Sequence, residues 1–358
     1  MMNIRNVLLS QYRLYPMMQI RDIVKLIYQN EFAGEHLILN EKDSLLKLQK
    51  EYNLIKCKSA TNTIYNNVFE EIGNGLCRLN LFTLKDYDID LTTVNRFFLT
   101  TANSNTGSIN SFENKLDVFS HCCRKKELPY DPHEVVAYLL AYRKKGYPPV
   151  SHSNIYKIAY SPAYRIVKKD YSIFFELFCK IDLLMKSHKR VIVAIDGNSG
   201  AGKTTLASLI GSIYDCNTFH MDDFFLTPDL KTEKRLKEIG GNVDYVRFKQ
   251  EVIDKIHSGH KFEFRAYDCK KMAFKQPVSV IPKKLNIIEG CYSMHPTLIN
   301  NYDLKIFLCI DKEKQIQLIL KRNGVDVLNK YLEEWIPLEN KYFEEYKIKE
   351  RSDLVFNR

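Results

Sequence analysis

Residues Gly197-Asn198-Ser199-Gly200-Ala201-Gly202-Lys203-Thr204 fit the pattern G-x-x-x-x-G-K-[ST] in full, and no other stretch restricts the chain as strongly. Glycines at these places let the backbone curl so that its N–H groups point inward, and a helix opening at Lys203 adds its positive end. Together they make a cradle for phosphate: Lys203 neutralises phosphate oxygens and the Thr204 hydroxyl suits a Mg²⁺ ligand. The flanks agree with this. Val191 to Ile195 is a continuous β-branched run, as in a strand buried on both faces, and a helical pattern follows from about Lys203 to Tyr214.

Further short apolar runs, Thr218 to Met221, Leu285 to Ile288, Leu304 to Ile310 and Asp353 to Phe356, alternate with helical patterns after residue 188. That alternation predicts an α/β domain, a parallel sheet with helices on both faces, over residues 188–358. Residues 1–187 read as mainly helical. Met17 to Tyr28 sets Ile20, Ile23, Val24 and Ile27 on one face, and Glu41 to Tyr52 and Pro132 to Lys145 repeat the pattern, the last behind an Asp131-Pro132 start. A long apolar helix is expected from about Tyr171 to Met185, and the Asn/Ser/Thr-rich stretch Thr100 to Ser111 is expected to be a loop.

Chemistry beyond the phosphate cradle is suggested by three stations. His220-Met221-Asp222-Asp223-Phe224-Phe225 follows the second strand, so its acidic pair emerges at the carboxyl edge, where open α/β sheets bind ligands. A carboxylate there accepts the proton of a hydroxyl attacking the γ-phosphate of ATP, with Asp222 and Asp223 both candidates. Glu289 ends another apolar run and fits a second metal-linked carboxylate; Lys321-Arg322-Asn323-Gly324 ends a helix and offers a cation to the transferring group.

Taken together, these stations resemble the uridine kinase and phosphoribulokinase family of P-loop kinases over residues 188–358. The resemblance implies a P-loop NTPase sheet of five parallel strands in the order 2-3-1-4-5, ATP and Mg²⁺ as cofactors, and a small-molecule hydroxyl as acceptor. It puts the general base on Asp222, in Met221-Asp222-Asp223-Phe224-Phe225, with Asp223 beside it in the substrate site. It gives Asp244, in Asn242-Val243-Asp244-Tyr245, a role on substrate hydroxyls, and sets Tyr267, in Tyr267-Asp268-Cys269, beside a nucleobase. Glu289-Gly290 matches the Mg²⁺-linked pair, Thr205 extends the nucleotide-binding turn, and a mobile lid lies near Arg322. The only tryptophan, Trp335, precedes an expected helix start after Pro337 and is expected to pack beneath that lid. Met272 stands where the family reads a nucleobase with histidine. The acceptor is therefore open between a nucleoside and another alcohol, such as a pantothenate-like or sugar-acid molecule. A third reading makes the domain a nucleotide-gated switch acting on residues 1–187.

The first 187 residues carry no motif that identifies a family, and their role is open. Glu70 to Arg78, with its turn glycines, Ser151-His152-Ser153 and Tyr164-Arg165 are pocket candidates there. The formal charge of +10 divides into +6 over residues 1–187 and +4 over 188–358 without a concentrated patch, which argues against a nucleic-acid partner. Nine cysteines without paired spacing read as free thiols. The longest apolar run, Val135 to Tyr142, is far short of the roughly 20 residues a membrane span needs. The N-terminus has no secretory pattern, so a cytoplasmic protein is expected, with self-association left open.

Overall fold

In the computed structural model, residues 3–34, 39–56, 67–104 and 106–358 are described. The chain packs as two units, Met1–Cys179 and Lys180–Arg358. Helices dominate the first. Ile20–Phe32 buries Ile23, Val24 and Ile27 as its spacing predicts, but begins three residues later than the pattern, where the Gln19 N–H finds the Asp22 carboxylate at 2.9 Å. Pro132–Lys144 starts on Asp131, whose side chain accepts from the His133 and Glu134 amides. These helices and Ile109–Arg124 close a core around Val7, Leu8, Phe112, Phe119 and Leu139.

A sheet escaped the sequence reading. Strands β1 (Phe69–Gly73), β2 (Leu76–Asn80) and β3 (Tyr164–Lys168) pair antiparallel in that order. The turn Gly73-Asn74-Gly75 joins the first two with φ of 81°, 53° and 72°, a conformation that glycine and asparagine tolerate best. The expected loop from Thr100 to Ser111 is corrected as well: helix Leu91–Ser104 takes its first five residues and Ile109–Arg124 its last three. The hydroxyls do not break the helix because Thr101 Oγ1 donates to the Phe97 carbonyl and Ser104 Oγ to that of Thr100, both at 2.6 Å. The long helix expected from Tyr171 is interrupted at Phe174, giving Lys169–Ile173 and Phe175–Ser187.

In the second unit β4 (Val191–Gly197), β5 (Cys216–His220), β6 (Leu285–Glu289), β7 (Leu304–Cys309) and β8 (Leu354–Asn357) form one parallel sheet, ordered β8-β7-β4-β6-β5. Counted from the other edge, this is the expected order 2-3-1-4-5. β4 is central and buried throughout, as its unbroken apolar run requires. Helices Lys203–Gly211 and Lys312–Asn323 follow β4 and β7. Between β5 and β6 lie short helices and two small hairpins, one pairing Phe262–Phe264 with Val278–Val280, the other Tyr267–Asp268 with Ala273–Phe274.

Trp335 is not buried. It is 38% exposed and meets Tyr331 edge-on at 4.5 Å, in a wide turn, Tyr331–Trp335, that runs directly into helix Ile336–Glu345. Pro337 has no N–H to donate, and the chain winds more loosely just ahead of it. The eight described cysteines are free thiols, while Cys57 lies outside the described residues. Among the described residues no helix is long and apolar enough to cross a membrane.

Candidate active site

The turn after β4 is built from its glycines outward. Gly197 has φ 137°, and a β-carbon there would stand 2.2 Å from the Leu308 carbonyl oxygen, so only glycine lets β4 pass this close to β7. Gly200 and Gly202 also take positive φ, and helix Lys203–Gly211 starts directly behind them. Lys203 folds back over the turn, its Nζ donating to the Gly197 and Asn198 carbonyls at 2.8 and 3.2 Å. The turn is held from outside as well. The Ser199 N–H donates to Glu339 Oε2 at 3.0 Å, its hydroxyl donates to Glu339 Oε1, and the Ser199 carbonyl accepts from Gln315 Nε2 at 2.8 Å. The Arg358 guanidinium lies beside Gly202, 3.6 Å from where its β-carbon would be.

Beneath the turn Asp196 is buried. Its carboxylate accepts from the Gly197 N–H, the Met294 N–H and the Tyr342 hydroxyl at 2.8, 2.9 and 2.8 Å. Burial outweighs these donors and the Lys203 charge, pushing its pKa up to about 6.

β6 runs between β4 and β5, and register sets Glu289 level with Ile195 and His220 at the carboxyl edge. There Glu289 Oε1 accepts from Thr204 Oγ1 at 3.1 Å and meets His220 Nδ1 at 2.5 Å. That hydrogen bond to Glu289 raises the His220 pKa, so its ring carries a proton more readily than a free imidazole. Asp222 follows in the turn Met221–Phe224. Its side chain keeps an open solvent face, yet protein crowds the carboxyl from behind. This desolvation raises its pKa; Lys203 and His220 pull it down, and Glu289 and Asp223 push it up.

A second cluster gathers on Arg247. Its Nη2 donates to the Asp223 carbonyl at 3.3 Å, its Nε lies 3.5 Å from Asp244 Oδ2, and its Nη1 donates to the Arg265 carbonyl at 2.7 Å. Asp244 also caps the helix that carries Arg247, accepting the Arg247 N–H at 3.0 Å. Lys275 stands 3.8 Å from the Asp223 carboxylate. Tyr267 is buried against Phe274, whose ring faces Arg247. Arg322 belongs to neither cluster: it bonds to Asn323 and to the Tyr331 hydroxyl.

Lys203, Thr204, Glu289 and Asp222 thus share one edge of the sheet; Asp223 lies in the same turn as Asp222, Asp244 caps the helix that carries Arg247, and Tyr267 alone of these sits on a hairpin. Residues 192–326 match the model of the phosphoribulokinase / uridine kinase family. The C-terminal unit carries this match to a kinase family. Among solved structures, a "Possible Uridine Kinase" from Bacillus stearothermophilus is 21% identical, with 51% of this chain and 99% of that one covered, at a TM-score of 0.38. The YGR205w protein is 14% identical over 52% and 92% of the two chains, also at 0.38. The kinase unit contains site residues that the sequence reading passed over: Asp196, His220, Arg247, Gln315 and Glu339. Asp196 was readable from its place between a buried strand and the first glycine, and His220 from its place before the acidic pair. Glu339 gave no local signal, being 140 positions from the serine it holds.

Proposed function

We propose that the kinase unit, taken as residues 188–358, transfers the γ-phosphoryl group of ATP to a hydroxyl of a small molecule. The turn amides and Lys203 would hold the phosphates, Lys203 leaving the Gly197 and Asn198 carbonyls to do so, and Thr205 would line the same helix start. Asp222 would take the proton from the acceptor hydroxyl. The observation that carries this reading is the glycine turn itself, with Lys203 folded over it and Thr204 bonded to Glu289, at the sheet edge where Asp222 follows β5. A raised carboxyl is a better base near neutral pH, and positioning supplies most of the acceleration in phosphoryl transfer.

Thr204 and Glu289 offer two hard oxygens 3.1 Å apart, a donor set that suits Mg²⁺ when phosphate oxygens complete its shell. Bound there, the ion would neutralise charge on the phosphates. Arg322 would add a cation after rearrangement of the helix end on which it sits. Asp223, Asp244 and Tyr267 would line the acceptor pocket. Met272 is 69% exposed at the tip of the Tyr267–Phe274 hairpin, and this favours an alcohol other than a nucleoside.

The test is ADP release from the full chain with ATP and Mg²⁺ against nucleosides, vitamins, sugars and sugar acids. Asp222→Asn is expected to keep ATP affinity and lose about 10²- to 10⁴-fold in acceptor-stimulated turnover. Normal turnover in that variant would remove Asp222 from the chemistry.

A further inference from the structure

A second site stands in the N-terminal unit. Arg78 lies on β2 and is 3% exposed. Its Nη1 donates to Gln11 Oε1 at 2.9 Å and Glu70 Oε1 at 3.1 Å, its Nη2 donates to Gln29 Oε1 at 3.0 Å, and the guanidinium lies over the Tyr164 ring at 4.7 Å. Both terminal nitrogens are engaged, yet its buried Nε–H has no acceptor among the described residues. Asn80, two residues along and so on the same face of the strand, is 6% exposed and repeats the situation. Its Oδ1 accepts the Phe82 N–H at 3.0 Å, and its Nδ2 has no partner among the described residues.

Both side chains border one cavity of about 80 Å³, walled by Tyr15, Tyr156 and Tyr164, with Glu70 on its polar side. That is several times the roughly 10–15 Å³ a single water needs. A buried donor left unpaired is costly, and two that belong to side chains bordering one cavity point to an absent acceptor.

A one-way hydrogen-bond chain holds this wall rigid. Gln29, with its carbonyl turned to Arg78, donates from Nε2 to the Tyr164 hydroxyl at 3.0 Å. Tyr164 donates in turn to His152 Nε2 at 2.6 Å, and His152 Nδ1 donates to Asp22 Oδ1 at 2.9 Å. Asp22 also takes the Gln19 N–H, the Ser153 N–H and the Ser153 hydroxyl, so it fixes the tautomer on which the chain depends.

The charges decide the ligand class. Arg78 is matched by Glu70 in the same wall, so a phosphate or carboxylate would meet as much repulsion as attraction. Each Glu70 oxygen accepts once, from Arg78 or from Tyr15, and retains room for another donor. A hydroxyl both accepts and donates, and so serves the two unpaired N–H groups and the carboxylate together. We propose that this cavity binds a small neutral polyhydroxylated molecule, a sugar or polyol, whose oxygens accept from Arg78 Nε and Asn80 Nδ2 and whose hydroxyl hydrogens go to Glu70.

The test is titration calorimetry and saturation-transfer NMR on the full chain with glycerol, D-ribose, D-glucose, inorganic phosphate and acetate. Leu14, 58% exposed, borders the cavity, so Leu14→Trp blocks it without removing a buried group. Asn80→Asp keeps the acceptor for Phe82 and replaces the unpaired donor with a second oxygen. At least one of the three hydroxylated probes is expected to bind saturably, about tenfold more weakly in either variant and unchanged in Lys203→Ala. Leu14→Trp is expected to melt at the wild-type temperature without ligand, so its loss of binding reads as blockage. Three results would overturn the proposal: no saturable binding of any hydroxylated probe, binding indifferent to both cavity variants, which assigns it to the kinase unit, or competition by phosphate or acetate, which makes the cavity an anion site.

Discussion

Replacing Gly197 with alanine tests whether the turn depends on close approach of two strands. The new Cβ would sit 2.2 Å from the Leu308 carbonyl oxygen and 2.7 Å from its nitrogen, where ordinary contact begins near 3.4 Å. Clearing it means parting β4 from β7 by about an ångström at the register pair Gly197–Leu308. The Asn198 N–H bond to the Leu308 carbonyl, now 3.1 Å, crosses that gap and would be lost, leaving groups worth about 1–3 kcal/mol unpaired. An alanine at φ 137° adds about 1–3 kcal/mol of backbone strain. Strand separation relieves part of the overlap, so these contributions do not sum in full, and we expect a loss of about 4 kcal/mol. Urea unfolding followed by fluorescence reads the right unit, because the only tryptophan, Trp335, lies within it. The midpoint should fall by about 2 M for a slope of about 2 kcal/mol/M. Gly324→Ala is the control: at φ 80° and ψ 176° it carries a similar backbone strain of about 1–3 kcal/mol, but nothing lies within 4 Å, so the strain alone is expected. Equal shifts in the two variants would refute the close-approach argument.

Lys203→Met should reduce ATP-dependent turnover by at least about 10³-fold with a smaller effect on melting temperature, since its Nζ donates to the Gly197 and Asn198 carbonyls of the half-buried turn; undiminished turnover in the ADP-release assay would contradict this. Tyr342→Phe removes one of the three donors on Asp196 and should cost about 1–3 kcal/mol. Because the Asp196 pKa is about 6, unfolding curves should show a larger loss at pH 8, where the carboxyl is ionised, than at pH 5. Acid should unfold the N-terminal unit first. Burial holds His152 down at about 4, so between about 6.5 and 4 the unfolded chain binds a proton that the folded chain refuses, and stability worth about 3 kcal/mol drains away as pH falls through that window. In the kinase unit His295, also near 4, has the same sign, but Asp196 binds its proton in the folded state over nearly the same range and offsets it. Circular dichroism should therefore report acid unfolding before Trp335 fluorescence does; the reverse order would refute the assignment.

The kinase unit was legible because its central strands, β4 and β6, are continuous in sequence and buried on both faces. Val191 to Ile195 can only be such a strand, and the turn that follows it carries its own chemistry in successive residues. The N-terminal sheet lacks both properties. β2 holds Arg78 and Asn80, which read as exposed positions until Gln11, Glu70 and Gln29 are folded around the arginine. β3 joins this sheet from more than 80 residues beyond β2, so no local pattern announces the pairing. The run Thr100 to Ser111 failed for another reason: threonine and serine side chains disfavour helix when they compete for backbone groups, but here they donate to carbonyls one turn back and the helix is kept.

The same contrast separates the existence of the phosphate turn from its shape. Glycine spacing gives the curl, whereas the groups that hold it come from distant parts of the chain: Leu308 on β7 crowds Gly197, Gln315 and Glu339 hold Ser199 from two later helices, and Asp196 is fastened through Met294 and Tyr342. A turn left to its own residues would lose its shape to conformational entropy and need ordering by each incoming nucleotide. Tied at these points, much of that ordering is done in folding, so more of the interaction with phosphate is available for affinity and alignment. Glu339 has a particular place in this account, because its carboxylate occupies the Ser199 amide that a phosphate oxygen would otherwise seek. On the proposed function, phosphate would therefore be gathered chiefly by Lys203 and the amides of Gly200 and of Gly202 onward, since the Ala201 N–H already donates to the Asn198 carbonyl, at the helix end nearest Thr204 and Glu289.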